Sequence, residues 1–243
     1  MSGVFASLRR ALADWGSPPS RGHGKPVALV YRGPASLRGC PEAVAELLES
    51  SDHGFDVRYV GPKERLSIDA ETLSGATLYA QPGGGSLDHG YKHLRRHRAD
   101  IRSFVRSGGR YLGFCLGGYL AGATPGFDLL PGDTDQYIAS RSATVHSEDN
   151  AVVEVTWRGR RRTLFFQDGP LFELDAGASA TVLATYPNKT IAALVTKFGS
   201  GRVGVVGPHP EATADWFSDV GLAVPGTLGL DLGLDLVDAV MNR

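Results

Sequence analysis

The stretch Gly113-Phe114-Cys115-Leu116-Gly117-Gly118-Tyr119 constrains the fold most, because it has to be a strand that turns sharply into a helix. Arg110-Tyr111-Leu112 ahead of it has strand character, whereas Leu116, Tyr119 and Leu120 recur at helical spacing. Cys115 falls where one gives way to the other, on a nucleophile elbow. The flanking glycines relieve the steric cost of the turn. Free backbone N–H groups at the positive end of the helix favour thiolate over thiol.

The surrounding chain alternates in the same sense. Val27 to Tyr31 is a compact apolar run, Pro41 to Glu49 is helical, Phe55 to Val60 and Ala76 to Ala80 are extended, and Lys92 to Val105 is helical. This order predicts an α/β fold, a three-layer sandwich with a mostly parallel central sheet whose ligands lie at the carboxyl ends of its strands. From Ala151 to Val206 the pattern shifts to strands at 152–157, 162–166, 181–186, 191–198 and 203–206. Turn signals at Trp157-Arg158-Gly159 and Gly199-Ser200-Gly201 join them, so antiparallel edge strands are expected to close one side of the core.

With 243 residues, 42% of them hydrophobic, the chain can bury one sizeable core. Residues 26–243 are expected to form that single domain. Residues 1–25 precede it as a short amphipathic helix (Val4, Phe5, Leu8, Leu12, Trp15) and a Gly/Pro/Ser-rich tether. That helix interleaves polar and charged residues, which argues against a signal peptide. A formal net charge of -1 gives no electrostatic reason to expect nucleic acid or an anionic membrane, and no apolar stretch reaches the length of a membrane span. Two cysteines are too few for a disulfide framework, so a cytoplasmic protein is expected, with Cys40 simply flanking a helix that starts at Pro41.

Two further motifs carry chemistry. In Val205-Val206-Gly207-Pro208-His209-Pro210-Glu211 an apolar strand delivers a histidine into a turn, and a carboxylate two residues on can fix the ring's tautomer. A cysteine nucleophile needs such a base. In Gln81-Pro82-Gly83-Gly84-Gly85-Ser86, which follows a strand, consecutive glycines let backbone N–H groups approach a ligand closely, as an oxyanion hole requires. The run matches neither a nucleotide-binding loop nor a dinucleotide fingerprint.

Together these motifs resemble the class I glutamine amidotransferase-like superfamily, and within it the biotin-protein ligase N-terminal domain family. The first likeness rests on Gly113 to Gly118 and His209 to Glu211 in that order; the second adds Gln81 to Gly85 and the aromatic turn from Phe165 to Phe172. The resemblance implies a flavodoxin-like sandwich. It also implies a triad of Cys115 as nucleophile, His209 as base and Glu211 as orienting carboxylate, with the Gly84 and Leu116 amides as oxyanion donors. Gly83, Tyr119 and Asp168 join them at the substrate site. Tyr119 departs from the superfamily, which usually carries glutamine there. The DJ-1/PfpI group also places cysteine on an elbow, often followed by histidine; Leu116 stands in that position here. The ligase portion of a complete biotin-protein ligase is not seen, so biotinylation by this chain is not expected.

The expected activity is a cysteine-dependent hydrolase or acyl or amido transferase acting on a small amide or ester. The alternative is a non-catalytic ligand-binding or regulatory module. A small molecule is the expected partner, with any protein partner unspecified and no cofactor or metal called for. His89, His93 and His97 lie four apart, but Arg95, Arg96 and Arg98 surround them and no nearby carboxylate or cysteine completes a ligand set, so a solvated basic face is expected. Asp168 is read as shaping an Asp-Gly-Pro turn, Tyr119 as packing on the sheet, and Asp133 and Asp135 as members of a polar loop. Leu230, Leu234, Val237 and Met241 form an apolar stripe expected to pack intramolecularly.

Overall fold

The computed structural model describes residues 24–242, so the expected N-terminal helix lies outside the described residues. The first half runs Val27–Tyr31 (β1), Cys40–Glu49 (α1), Asp56–Val60 (β2), Ala70–Ser74 (α2), Leu78–Gln81 (β3), Leu87–Leu94 (α3), Arg98–Arg106 (α4), Arg110–Phe114 (β4) and Leu116–Ala121 (α5). The second half runs Gly132–Gln136 (β5), Ala151–Trp157 (β6), Arg160–Phe166 (β7), Pro170–Leu174 (β8), Ala180–Thr185 (β9), Ile191–Phe198 (β10), Gly201–Val206 (β11), Ala214–Ser218 (α6) and Leu230–Met241 (α7).

These strands form one mixed sheet in the order β2-β1-β3-β4-β11-β10-β9-β6-β7, with β8 joined to β10 and β5 joined to β8. The expected mostly parallel sheet is not what forms. Four strand pairs are parallel (β1·β2, β1·β3, β3·β4, β4·β11), and six are antiparallel. The reason lies in the connections. Parallel neighbours need a crossover of a dozen or more residues, which the β-α repeats supply before α5. Beyond it, tight turns reverse the chain: Arg158 and Gly159 take φ of 44° and 81° between β6 and β7, the paired positive values of a hairpin turn.

The central strands are apolar on both faces, as sheets covered on both sides require. Ala28, Val30, Leu112, Phe114 and Val206 face a core shared with Val44, Leu47 and Leu48 of α1 and Leu236, Val237 and Val240 of α7. Their alternates Leu29, Tyr79, Tyr111 and Val205 face the opposite core, which holds Ile101 and Val105 of α4 and Leu120 of α5. Helices therefore cover both faces. Each fully buried aliphatic side chain here contributes about 1.5–3 kcal/mol.

Three local expectations are corrected. The helix expected from Lys92 to Val105 is broken: α3 ends at Leu94 and a 3₁₀ turn, Arg95–His97, leads into α4. The Asp133 and Asp135 segment is strand β5 rather than a loop, because β8 supplies its ladder partners from Leu174 to Pro170. The α7 stripe is rotated from the expected one: Leu230 is exposed, whereas Leu232, Leu236, Val237 and Val240 are buried. Gly233 lets Leu47 of α1 come close, since a Cβ there would sit 2.8 Å from Leu47 Cδ1. The stripe does pack within the chain.

Candidate functional site

Strand β4 ends at the elbow, where Cys115 takes φ 47° and ψ −106°. A non-glycine residue holds such a conformation only when its surroundings over-determine it. They do so here through hydrogen bonds from Cys115 N–H to Val206 O (2.9 Å), from Tyr119 N–H to Cys115 O (3.0 Å) and from the Tyr111 hydroxyl to Gly117 O (2.7 Å). Gly117 is pressed so tightly onto the end of β3 that a Cβ would lie 2.0 Å from Gln81 O. The elbow is rigid by packing.

Strand β11 runs parallel to β4 with Val206 opposite Phe114, so the residues after β11 emerge beside the elbow. His209 N–H donates to Phe165 O at 2.9 Å, which ties the turn to the end of β7. The imidazole is buried, with Nδ1 2.8 Å from Glu211 Oε1, and the Cys115 side chain is among the groups that act on it. Burial on its own would drive the His209 proton off. The charges of Glu211 and Cys115, with hydrogen bonds to both, outweigh it and push the pKa up to about 10. With Nδ1 engaged by the carboxylate, Nε2 is the ring nitrogen left for the sulfur.

The glycine loop forms the wall on the other side. A Cβ on Gly83 would lie 2.7 Å from His209 Cε1, so glycine is what admits the ring. The loop is anchored from below by buried Gln81, whose amide donates to Ala35 O (2.9 Å) and accepts from the Tyr79 hydroxyl (2.8 Å). Cys40 is also close, its sulfur 3.4 Å from the same Gly83 Cβ position. Burial, reinforced by the negative groups at Glu211 and Cys115, pushes its thiol well above the usual range. No local pattern in the sequence marks Cys40 as a neighbour of His209; it was expected only to flank a helix.

Above the sulfur lies a cleft of about 450 Å³ whose lining includes Gly84, Cys115, Leu116, Tyr119 and Asp168. Five of the eight expected site residues thus meet in one cavity. Gly83, His209 and Glu211 stand behind it, with His209 only 4% exposed. Leu116 opens α5, so its N–H belongs to the helix-terminal donors that lack an intrahelical acceptor. The carbonyl of Gln167, in the loop between β7 and β8, lies 3.5 Å from Cys115 Sγ. Asp168, next in that loop with φ 44°, shapes the turn and also faces the cleft. Gln136 at the end of β5 holds it, Nε2 donating to Oδ2 at 3.0 Å. Sequence reasoning missed Gln136, Asp88 and Glu148 in the lining. Gln167 was within reach, since it stands inside the quoted aromatic turn.

The three histidines spaced four apart do not converge on one point. His89 and His93 stack edge to face with centroids 4.7 Å apart, while His97 sits in the 3₁₀ turn, and no metal-holding group of three or more His, Cys, Asp or Glu occurs among the described residues. Nor is any helix among them long and apolar enough to cross a membrane.

Residues 27–141 match the family profile described as "Biotin-protein ligase, N terminal". The likeness covers the elbow but stops short of His209. A biotin--protein ligase of Schizosaccharomyces pombe is 28% identical over 179 residues, which is 61% of this chain and 28% of that protein. The imidazole glycerol phosphate synthase subunit HisH of Synechocystis sp. is 28% identical over 94 residues, 35% of this chain and 45% of that one. The chain thus spans less than half the length of either relative. Among solved structures, a putative ThuA-like protein from Parabacteroides merdae aligns over 90% of this chain and 91% of its own with a TM-score of 0.53 at 14% identity, a likeness of fold alone.

Proposed function

We propose that the protein is a cysteine-dependent hydrolase or acyl transferase for a small amide or ester. Cys115 is the nucleophile, His209 its base and Glu211 the carboxylate that orients the ring. The observation that carries this reading is the buried His209–Glu211 pair, 2.8 Å apart, placed beside an elbow cysteine that opens into a cleft. A core residue has no need of all three. The Cys115 thiolate attacks the carbonyl carbon, and the oxyanion that forms meets the amides of Gly84 and Leu116. Collapse expels the amine or alcohol, which leaves with a proton from His209, and a thioester remains on Cys115. Water, or an acceptor amine, then attacks with His209 taking its proton, which releases acid or transferred acyl group and regenerates the thiolate.

A second reading keeps the cleft as a ligand-binding module without turnover. Tyr119, standing where amidotransferases usually carry glutamine, and the match to a biotin-protein ligase N-terminal region support it. The two readings separate on the rate of Cys115 alkylation by iodoacetamide, followed by peptide mass spectrometry with Cys40 as the internal reference. The catalytic reading requires His209→Ala to slow Cys115 by at least about tenfold at neutral pH, the scale of a lost general base. Reactivity indifferent to His209 would overturn it for the free protein.

A further inference from the structure

The cleft above Cys115 carries charge of one sign. Asp168 stands half-buried in its wall, with Glu148 and Asp88 at the exposed rim, and its lining contains no lysine, arginine or histidine among the described residues. Gln136 donates to both Asp168 oxygens, at 3.3 and 3.0 Å, which fixes the carboxylate in place without neutralising it. A cleft walled by one sign of charge concentrates field lines and raises the local concentration of the opposite ion.

Tyr119 is 8% exposed and lines the same cleft, yet its hydroxyl has no hydrogen-bond partner among the described residues. A buried phenol normally finds one. Its neighbours are the charges of Asp168 and Cys115, which together with burial hold its proton on. The cleft meets the rest of the side chain, because the hydroxyl oxygen itself is buried.

We propose that the cleft selects a small acyl substrate or ligand bearing a cationic nitrogen, an ammonium or guanidinium, which Asp168 holds with Glu148 steering from the rim. This rests on the reading of Cys115 as the group that faces substrate. It excludes an anionic ligand such as a dicarboxylate, for which the cleft offers no counter-ion.

The test uses three methanethiosulfonates on the full chain: the 2-(trimethylammonio)ethyl, 2-sulfonatoethyl and methyl reagents, which are cationic, anionic and neutral. In each, the Cys115 thiolate attacks the sulfenyl sulfur, a mixed disulfide forms and methanesulfinate leaves, so the reagent itself is the oxidant. Peptide mass spectrometry reads Cys115 apart from Cys40. The cationic-to-anionic rate ratio should exceed that of a free thiol by about tenfold or more, the effect of two nearby carboxylates in partly screened surroundings. Asp168→Asn should lower the ratio several-fold and Asp168→Asn with Glu148→Gln should return it to the free-thiol value, each charged reagent's rate being taken relative to the neutral reagent's rate in the same variant. A ratio no higher than that of a free thiol overturns the proposal, as does one that survives the double substitution, or a Cys115 that none of the three reaches. Glu148→Gln alone, at an exposed position, keeps the test decisive if Asp168→Asn unfolds the loop. The catalytic reading fails separately: a neutral-reagent rate indifferent to His209→Ala sinks it and leaves the charge ratio standing, whereas a lost ratio with His209 dependence intact sinks only the cationic ligand.

Discussion

Replacing Glu211 with glutamine probes the pair on which the site depends. The substitution keeps the shape and one hydrogen-bond acceptor but removes the charge 2.8 Å from His209 Nδ1. Charge centres about 4 Å apart interact by about 4 kcal/mol at an effective dielectric of about 20. At about 1.4 kcal/mol per unit, that is about three pKa units. With the pKa pushed up to about 10 in the intact protein, Glu211→Gln should bring it down by about three units, to about 7. The sign for stability follows. A folded-state value above the unfolded one stabilises the fold fully below pH 6.5, and that contribution is lost as pH rises through about 10. The stability gap between the native protein and Glu211→Gln should therefore be widest in mild acid and close towards pH 10. The assay is an NMR titration of the imidazole Cε1 resonances, with the His209 signal assigned from His209→Ala, alongside thermal unfolding at several pH values. A midpoint that moves by less than about half a unit, or a stability gap that widens with rising pH, would refute the coupling.

Two other perturbations test the packing around the site. Gly83→Ala, whose new Cβ would lie 2.7 Å from His209 Cε1, should displace the ring and slow Cys115 alkylation by about tenfold with circular dichroism unchanged, whereas Gly226→Ala, with nothing within 4 Å, should do neither. Leu236→Ala should destabilise the fold by about 2–4 kcal/mol, while Leu230→Ala on the exposed side of α7 should stay within about 0.5 kcal/mol, as denaturant unfolding will show; equal costs would mean that the helix phase is wrong.

How much was legible in the chain depended on whether the deciding signal was local. Strands β1, β4 and β11 are short apolar runs buried on both faces, and such runs announce themselves. Strand β5 does not: Gly-Asp-Thr-Asp-Gln has no apolar alternation, and only its register with β8 makes it a strand. In α7 the repeat Leu-Asp-Leu-Gly-Leu-Asp-Leu offers leucine at every second position, so two helical phases compete. The closeness of Gly233 to Leu47, which no window of the sequence contains, settles the choice. The same division runs through the site. The nearness of Cys115, His209 and Glu211 was legible because each sits within a short motif at the end of a strand, and β4 and β11 lie side by side. The acidic cleft was not, because Asp88, Gln136, Glu148 and Asp168 come from separate segments and each alone resembles ordinary polar surface.

The position of β11 has a consequence for the order of events during synthesis. This late strand lies between β4 and β10, in the middle of the sheet rather than at its rim. Until it has been made, the flank of β4 that leads into Cys115 is an open edge, a row of unpaired backbone groups on one of the most apolar strands of the chain. A nascent chain therefore holds Cys115 beside an aggregation-prone template for nearly a hundred residues of elongation, from Phe114 to Val206. The same strand that closes this edge delivers His209 beside Cys115, so the pairing of β11 with β4 and the assembly of the candidate site are coupled.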